Sequence, residues 1–487
     1  MSFAGPVLPF SPVLPPAGSR LRQHVLHQQL QAAIADGRLA ADLRLPGSRT
    51  LAEACGVSRN CVVAVYERLL AEGYVVARNG GGTYVAPVRA TRRAESPAPQ
   101  IDARERLAPA WRDLPEALRF GPRDNFAFDF AVGVPDRSEF PLSLWRSLSA
   151  QALRRTARAS ATYLVPEGQP SLREAIAAHA SFIRAVSCSA SELIVTSGAQ
   201  QAFDLIARLF VEPGKTVVAV EEPGYPPLRR VFAAAGARIV PIAVDREGLV
   251  VEDIPPEARI VCVTPTHQFP MGPALSARRR LALLAFAQKH EALIVEDDYD
   301  SEFLDAARPL DALQTLDRGQ SVFYVGTFSK SLLPTLRLGY VIAPPWAISA
   351  LASAKQMSDW HCAESAQEAL AAFIAQGHLA RHLRRMRKVY AQRRRILLHA
   401  LERHGAGLLH PVTSGGGLHA TALLRDDVDA RALVTTAAAR GVRVASIAGF
   451  CMQEAAPNGL VFGLGAIPAE LIDEGVSTLV RLALKRS

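Results

Sequence analysis

Five short runs of almost wholly apolar residues recur through the middle of this chain: "ELIVT" (192–196), "TVVAV" (216–220), "RIVCV" (259–263), "ALIVE" (292–296) and "VFYV" (322–325). Helical stretches separate them. Strands that are apolar on both faces need cover on both faces, and intervening helices supply it, so the pattern dictates an α/β fold with a mainly parallel sheet. Such a sheet gathers ligands beyond the carboxyl ends of its strands. The polar motifs of this chain stand there.

After "ELIVT" come Ser197, Gly198, Ala199 and Gln200, then the helical stretch "QAFDLIARLF". Free backbone N–H groups at a helix start suit a phosphate, although such a junction alone is as readily a tight turn. "EEPGYPP" (221–227) offers Tyr225 as an aromatic face, which by itself reads as packing. "ALIVEDDYDSEF" (292–303) ends a strand in Asp297, Asp298, Tyr299 and Asp300. Clustered acids suit a metal, but histidine ligands at useful spacing are missing, so no metal is expected. One buried carboxylate can instead hold a proton on a heteroaromatic nitrogen. In "VGTFSKSLLPTLRLGYV" (325–341), Thr327 and Ser329 bring hydroxyls, Lys330 an amine and Arg337 a fixed cation into a segment otherwise short of charge. Burying such cations unpaired is costly, so they need partners. A phosphate needs amides, hydroxyls and a cation; an aldehyde needs a lysine amine; a pyridine nitrogen needs an acid; its ring needs an aromatic face. Pyridoxal 5′-phosphate meets every one of these demands.

The first ninety residues follow another grammar. In "LRLPGSRTLAEACGVSRNCVVAVYERLLAEGYVVARNGGGTYVAP" (43–87), Pro46 and Gly47 end one element, and Ser48 is placed as a helix cap. Leu51, Ala52 and Cys55 give one short apolar face, and Gly56 breaks that helix. Ser58 caps a second helix with Val62, Val65, Tyr66, Leu69 and Leu70 at helical spacing. Two short helices meeting at a glycine turn are helix-turn-helix grammar, with recognition starting at Ser58. "YVVARNGGGTYVA" alternates and turns at Gly80–Gly82 as a two-stranded wing, and "LRQHVLHQQLQAAIADGRL" (21–39) supplies a third helix. Arg49, Arg59 and Asn60 can reach phosphates or base edges, and Gly82 lets the wing approach a groove. Residues 1–95 carry 11 Arg against 6 Asp plus Glu, so the basic surplus coincides with the motif. Residues 21–87 resemble the winged-helix domain of the GntR family of bacterial repressors, which implies double-stranded operator DNA as a partner.

Between the two textures, residues 88–125 mix Pro, Ala and dense charge without a sustained period and read as a linker; residues 1–20 read as a tail. The formal charge of +9 is modest for 487 residues. A second basic run, "RHLRRMRKVYAQRRR" (381–395), reads as the solvated face of a helix. The six cysteines lie far apart, as in a reducing cytosol, and positive charge at Arg20 and Arg22 follows the apolar start instead of preceding it, unlike a signal peptide. Apolar runs such as "LALLAFA" (281–287) are too short to span a bilayer, so a cytoplasmic protein is expected.

Residues 126–487 look like a fold type I aminotransferase, a PLP-dependent transferase with a smaller C-terminal α/β subdomain, and the joined architecture is similar to the MocR subfamily of GntR regulators. The resemblance implies Lys330 as the Schiff-base lysine, Asp297 on the pyridine nitrogen, Tyr299 on the phenolic oxygen and Tyr225 stacked on the ring. It places Ser197, Gly198, Ala199, Thr327, Ser329 and Arg337 around the phosphate. Tyr163, in "YLVPEGQPSLREAI", matches a tyrosine that reaches the neighbouring subunit's phosphate, which implies a homodimer. Two departures stand out. In "THQFPMG" (266–272), Phe269 takes the place of a usual asparagine, leaving His267 or Gln268 to substitute. In "NGLVFGLGAI" (458–467), Val461 takes the place of the arginine that clamps a substrate carboxylate. Either Arg440 or Arg443 serves instead, or the effector is not an ordinary α-amino acid, or the cofactor is itself the signal. The expected function is a transcription factor sensing an amine, an amino acid or pyridoxal phosphate, with little or no net transaminase turnover. The alternatives are a working aminotransferase with a DNA-binding head and a repressor whose large domain only dimerises.

Overall fold

The computed structural model describes residues 8–19, 21–78, 82–87, 103–112, 126–158, 162–304 and 311–484. The chain divides into two compact units, Met1–Ala103 and Arg104–Ser487.

In the first unit, helix α1 (Arg22–Ala35) closes over α2 (Ser48–Cys55) and α3 (Arg59–Ala71), followed by strands β1 (Val75–Arg78) and β2 (Gly82–Val85). The wing strands pair antiparallel, Val75 opposite Val85 and Arg78 opposite Gly82; Gly80 and Gly81 of the expected turn lie outside the described residues. Leu26, Leu30, Leu51, Val62, Val65 and Leu69 form the core. Ser58 caps α3 as expected, its hydroxyl accepting from the Cys61 N–H at 3.2 Å. Ser48 does not cap α2: Gly47 stands at the cap, and Ser48, already helical, accepts from Arg59 Nε at 3.4 Å. Leu70, expected on the apolar face, is exposed because the face turns through Leu69 and Val65.

The second unit is built on an eight-stranded sheet: β3 (Leu193–Thr196), β4 (Val217–Glu222), β5 (Arg238–Asp245), β6 (Gly248–Leu249), β7 (Ala258–Val263), β8 (Leu293–Asp298), β9 (Val322–Thr327) and β10 (Gly339–Ile342), in the spatial order β3-β10-β9-β8-β7-β4-β5-β6. The pairs from β5 through β4, β7 and β8 to β9 are parallel; β10 runs against both β9 and β3. The expected mainly parallel sheet is therefore present, with β10 and the short edge strand β6 reversed. A smaller four-stranded antiparallel sheet follows, β11 (Leu409–Pro411), β12 (His419–Leu424), β13 (Ala445–Ser446) and β14 (Gly459–Gly463), in the order β11-β12-β14-β13.

The small subdomain is fastened beside the strand ends of the large sheet. Glu222 accepts from the Met452 and Gln453 N–H groups, and Arg229 donates to the Phe450 and Cys451 carbonyls at 2.8 and 3.0 Å. The basic run 381–395 lies in the helix His378–Gly405, but not as a wholly solvated face. Arg393 and Arg394 are buried: Arg393 donates to the Leu464 and Gly465 carbonyls and pairs with Asp136, and Arg394 donates to Ser414. Among the described residues, no helix is long and apolar enough to cross a membrane.

Candidate functional site

Sheet register brings the polar motifs to one edge. Thr196 of β3, Gly339 of β10 and Thr327 of β9 stand side by side, and Val325 and Gly326 of β9 face Asp297 and Asp298 of β8. The strands run further than their apolar runs, so Asp297, Asp298 and Thr327 are strand-end residues.

At the β3 end, Gly198 adopts φ +81° and opens the helix Ala199–Phe210. A Cβ on Gly198 would press to 2.7 Å from the Arg337 guanidinium, so only glycine lets the two approach. Arg337 donates to the Ser197 carbonyl at 2.7 Å. The Ser197 N–H donates to Gln201 Oε1 at 2.8 Å and its hydroxyl to Asp359 Oδ2 at 3.2 Å. Asp359 in turn pairs with the fully buried Lys355 at 2.5 Å. Thr327 accepts from the Ser329 N–H at 3.1 Å. Donors, hydroxyls and a cation thus surround one spot.

Next to it, the Lys330 ammonium donates to the Gly133 carbonyl at 2.7 Å. Burial holds this amine below its usual range, against the pull of Asp297 and Asp300. Asp297 is pushed up to about 8, first by burial and then by Asp298, and its carboxyl makes no hydrogen bond with the described residues. Its neighbour differs: Asp298 accepts from Arg184 at 2.8 Å and from the Tyr324 hydroxyl at 2.5 Å, a structural role. Tyr225 stands before the helix Pro226–Ala234 with its ring edge-on to Phe269 at 5.8 Å, and burial pushes its phenol up to about 12.

The Tyr299 hydroxyl lies 3.0 Å from the His267 carbonyl and 3.1 Å from His267 Nδ1. Asp300 accepts from the same nitrogen at 2.9 Å, and His419 stacks on His267 at 4.6 Å. Histidines missing from the local sequence thus reach the acids through space, from β12 and from the segment after β7. Their rings stack, one ligand atom of each of His267, Asp300 and His419 lies within 4.8 Å of the others, and His419 Nε2 is engaged by the Pro270 carbonyl at 3.0 Å. Gln268 is committed to backbone, donating to Pro223 and Phe269 and accepting from Met271, which leaves His267 of the two candidate substitutes.

Tyr163 is not brought into this cluster. It is 71% exposed and stacks on Trp360 at 4.7 Å. Val461 is fully buried in β14, paired with Thr421 and Ala445. Of the two proposed stand-in cations, Arg443 lies over Phe126 and 3.8 Å from Asp129, and Arg440 is exposed beyond the helix Ala430–Ala438. In the first unit, Arg49, Ser58, Arg59, Asn60 and Gly82 are all exposed, the last with φ +101°. Gly133, His419, Asp359 and Lys355 carried no local sequence signal, because only the fold assembles them.

The family described as "Aminotransferase class I and II" matches residues 128–452, and "Bacterial regulatory proteins, gntR family" matches residues 22–85. The chain is 36% identical over 468 residues to the probable rhizopine catabolism regulatory protein MocR of Rhizobium meliloti, covering 93% of this chain and 92% of that one. It is 34% identical to the pyridoxine biosynthesis transcriptional regulator PdxR of Corynebacterium glutamicum, covering 91% of each. Among solved structures, kynurenine aminotransferase of Pyrococcus horikoshii superposes with a TM-score of 0.69 at 27% identity, over 75% of this chain and 92% of that one.

Proposed function

The chain belongs to the MocR-type regulators, in which a gntR-family DNA-binding module is joined to a class I and II aminotransferase domain, and from that membership we propose how its residues read a small molecule. It is a DNA-binding transcriptional regulator whose larger domain binds pyridoxal 5′-phosphate. When bound, this group supplies an aldehyde that takes an amine covalently and a ring that withdraws electrons.

The observation that carries the assignment is Asp297, a buried carboxyl with no hydrogen-bond partner among the described residues, across from the amine of Lys330. Asp297 would hold a proton on the ring nitrogen, which provides the partner it lacks. Lys330, its amine destabilised as a cation by burial, would anchor the aldehyde. Ser197, Gly198, Ala199, Thr327, Ser329 and Arg337 would hold the phosphate, Tyr225 would cover the ring, and Tyr299 would donate to the phenolic oxygen. Tyr163, exposed on its own chain, would reach the site of a second copy, which makes the regulator a homodimer. Arg49, Ser58, Arg59, Asn60 and Gly82 would meet operator DNA.

The effector is an amine, an amino acid or the cofactor itself. It acts on DNA binding only as far as the two DNA-binding states hold it with different affinity. Lys330→Ala tests this reading. It should abolish absorbance at about 400 nm, where lysine-bound pyridoxal absorbs, and with it effector-dependent operator binding. Survival of both would sink the assignment. Lys330 and Asp297 also retain the minimum chemistry for amino-group transfer; sustained keto-acid production from amino donors would favour a working enzyme.

A further inference from the structure

Phe269 brings only an aromatic edge to Tyr299, at 5.8 Å, so the site has no asparagine there to share the hydrogen bonding of that tyrosine. What the tyrosine touches instead is an imidazole under tight control. Asp300 lies with both oxygens 2.9 to 3.0 Å from His267 Nδ1, and its Oδ2 also accepts from the Leu418 N–H at 3.0 Å. His267 and Asp300 are almost wholly buried, His419 covers one ring face, and a Cβ at Gly417 would collide with the ring and come within 2.7 Å of Asp300. The ring cannot swing.

An anion facing Nδ1 fixes the proton on that nitrogen. The tautomer explains a second observation: His267 Nε2 is buried without a partner. As a bare acceptor it is tolerable, whereas a buried unpaired N–H would cost more. With its one Nδ1 proton held toward Asp300, the ring cannot take the hydroxyl proton of Tyr299. That proton goes to the His267 carbonyl, or to an acceptor that enters the site.

We infer that Asp300 and His267 are positioning residues that keep the Tyr299 hydroxyl as a donor to the phenolic oxygen of the bound cofactor. This rests on the reading that the site holds pyridoxal phosphate through Lys330. The charged and titratable groups facing Tyr299 are Asp300, Asp297, Glu221 and Asp298, with the His267 and His419 rings beside it; burial and then the acids keep its phenol protonated.

Two roles for Asp300 give opposite signs. As a positioning residue it strengthens a hydrogen bond donated to the phenolic oxygen, which lowers the proton affinity of the lysine-bound cofactor. As a mere nearby anion it raises that affinity, and it does face Lys330 in this way. The experiment is a pH titration of the visible absorbance band of the cofactor-loaded full-length protein. Asp300→Asn should raise the midpoint by about one pH unit, in the direction of Tyr299→Phe, and should give no upward shift in the Tyr299→Phe background, where only the loss of its charge is left to lower the midpoint. His267→Phe, which keeps the Asp300 carboxyl, should behave likewise and serves if Asp300→Asn does not fold. A midpoint that falls or stays fixed in Asp300→Asn and in His267→Phe, or an upward shift that persists without the Tyr299 hydroxyl, overturns the inference alone. Absence of the band in the unaltered protein would overturn the reading of the site beneath it.

Discussion

At the scale of single residues, the carboxyl of Asp297 is held in an energetically awkward state until a cationic or N–H partner arrives. Its folded value of about 8 lies above the unfolded value of 3.8. The sign follows: stability from this group is full below about 4 and is lost as pH rises through about 8. Asp297→Asn has no proton to lose. In thermal melts without cofactor, the variant should match the unaltered protein near pH 4 and become more stable than it as pH approaches 9, by a few kcal/mol. Added pyridoxal phosphate should reverse the order at pH 8, since only the carboxylate pairs with a protonated ring nitrogen. A stability difference independent of pH would refute the assignment of the shift to this carboxyl. Lys330, Asp297 and Arg337 were legible in sequence because each sits in a short motif at a strand end. His267 was read only as a substitute for the missing asparagine; its contact with Asp300, 33 residues away, and that of Lys330 with Gly133, 197 away, were not legible.

Elements were legible where local chemistry alone decides them. Ser58 caps α3 because its hydroxyl satisfies a free N–H of the first turn, a purely local requirement. Ser58→Ala should therefore destabilise the first unit by about 1 kcal/mol, visible as a lower melting temperature, and weaken operator binding by fraying the end of α3 that carries Arg59 and Asn60. An unchanged melting temperature with intact DNA binding would show that the cap matters to neither. Where tertiary packing decides, sequence pattern misled. Strand β5, "RIVPIAVD", has Pro241 inside it and intermediate burial, so its period was obscured. The arginines of 381–395 read as solvated, yet Arg393 and Arg394 bond carbonyls that come from distant loops. Charge in sequence does not reveal which carbonyls the fold leaves waiting.

For the whole molecule, the question is whether ligand chemistry and DNA binding share one free energy. If the effector alters operator affinity by some factor, operator DNA must alter effector affinity by the same factor, because both describe one thermodynamic cycle. Titrating the cofactor-loaded protein with an effector amine, with and without saturating operator, should give a ratio of dissociation constants equal to the ratio measured for DNA with and without effector, at one fixed salt concentration. Reciprocity holds only for equilibrium binding. An enzyme turning its amine over would leave a steady state in which the two ratios differ, so inequality would favour the working aminotransferase. Arg59→Ala offers the control: it should weaken DNA binding and lower the salt slope by about one while leaving the effector affinity of DNA-free protein unchanged, since Arg59 belongs to the separate first unit.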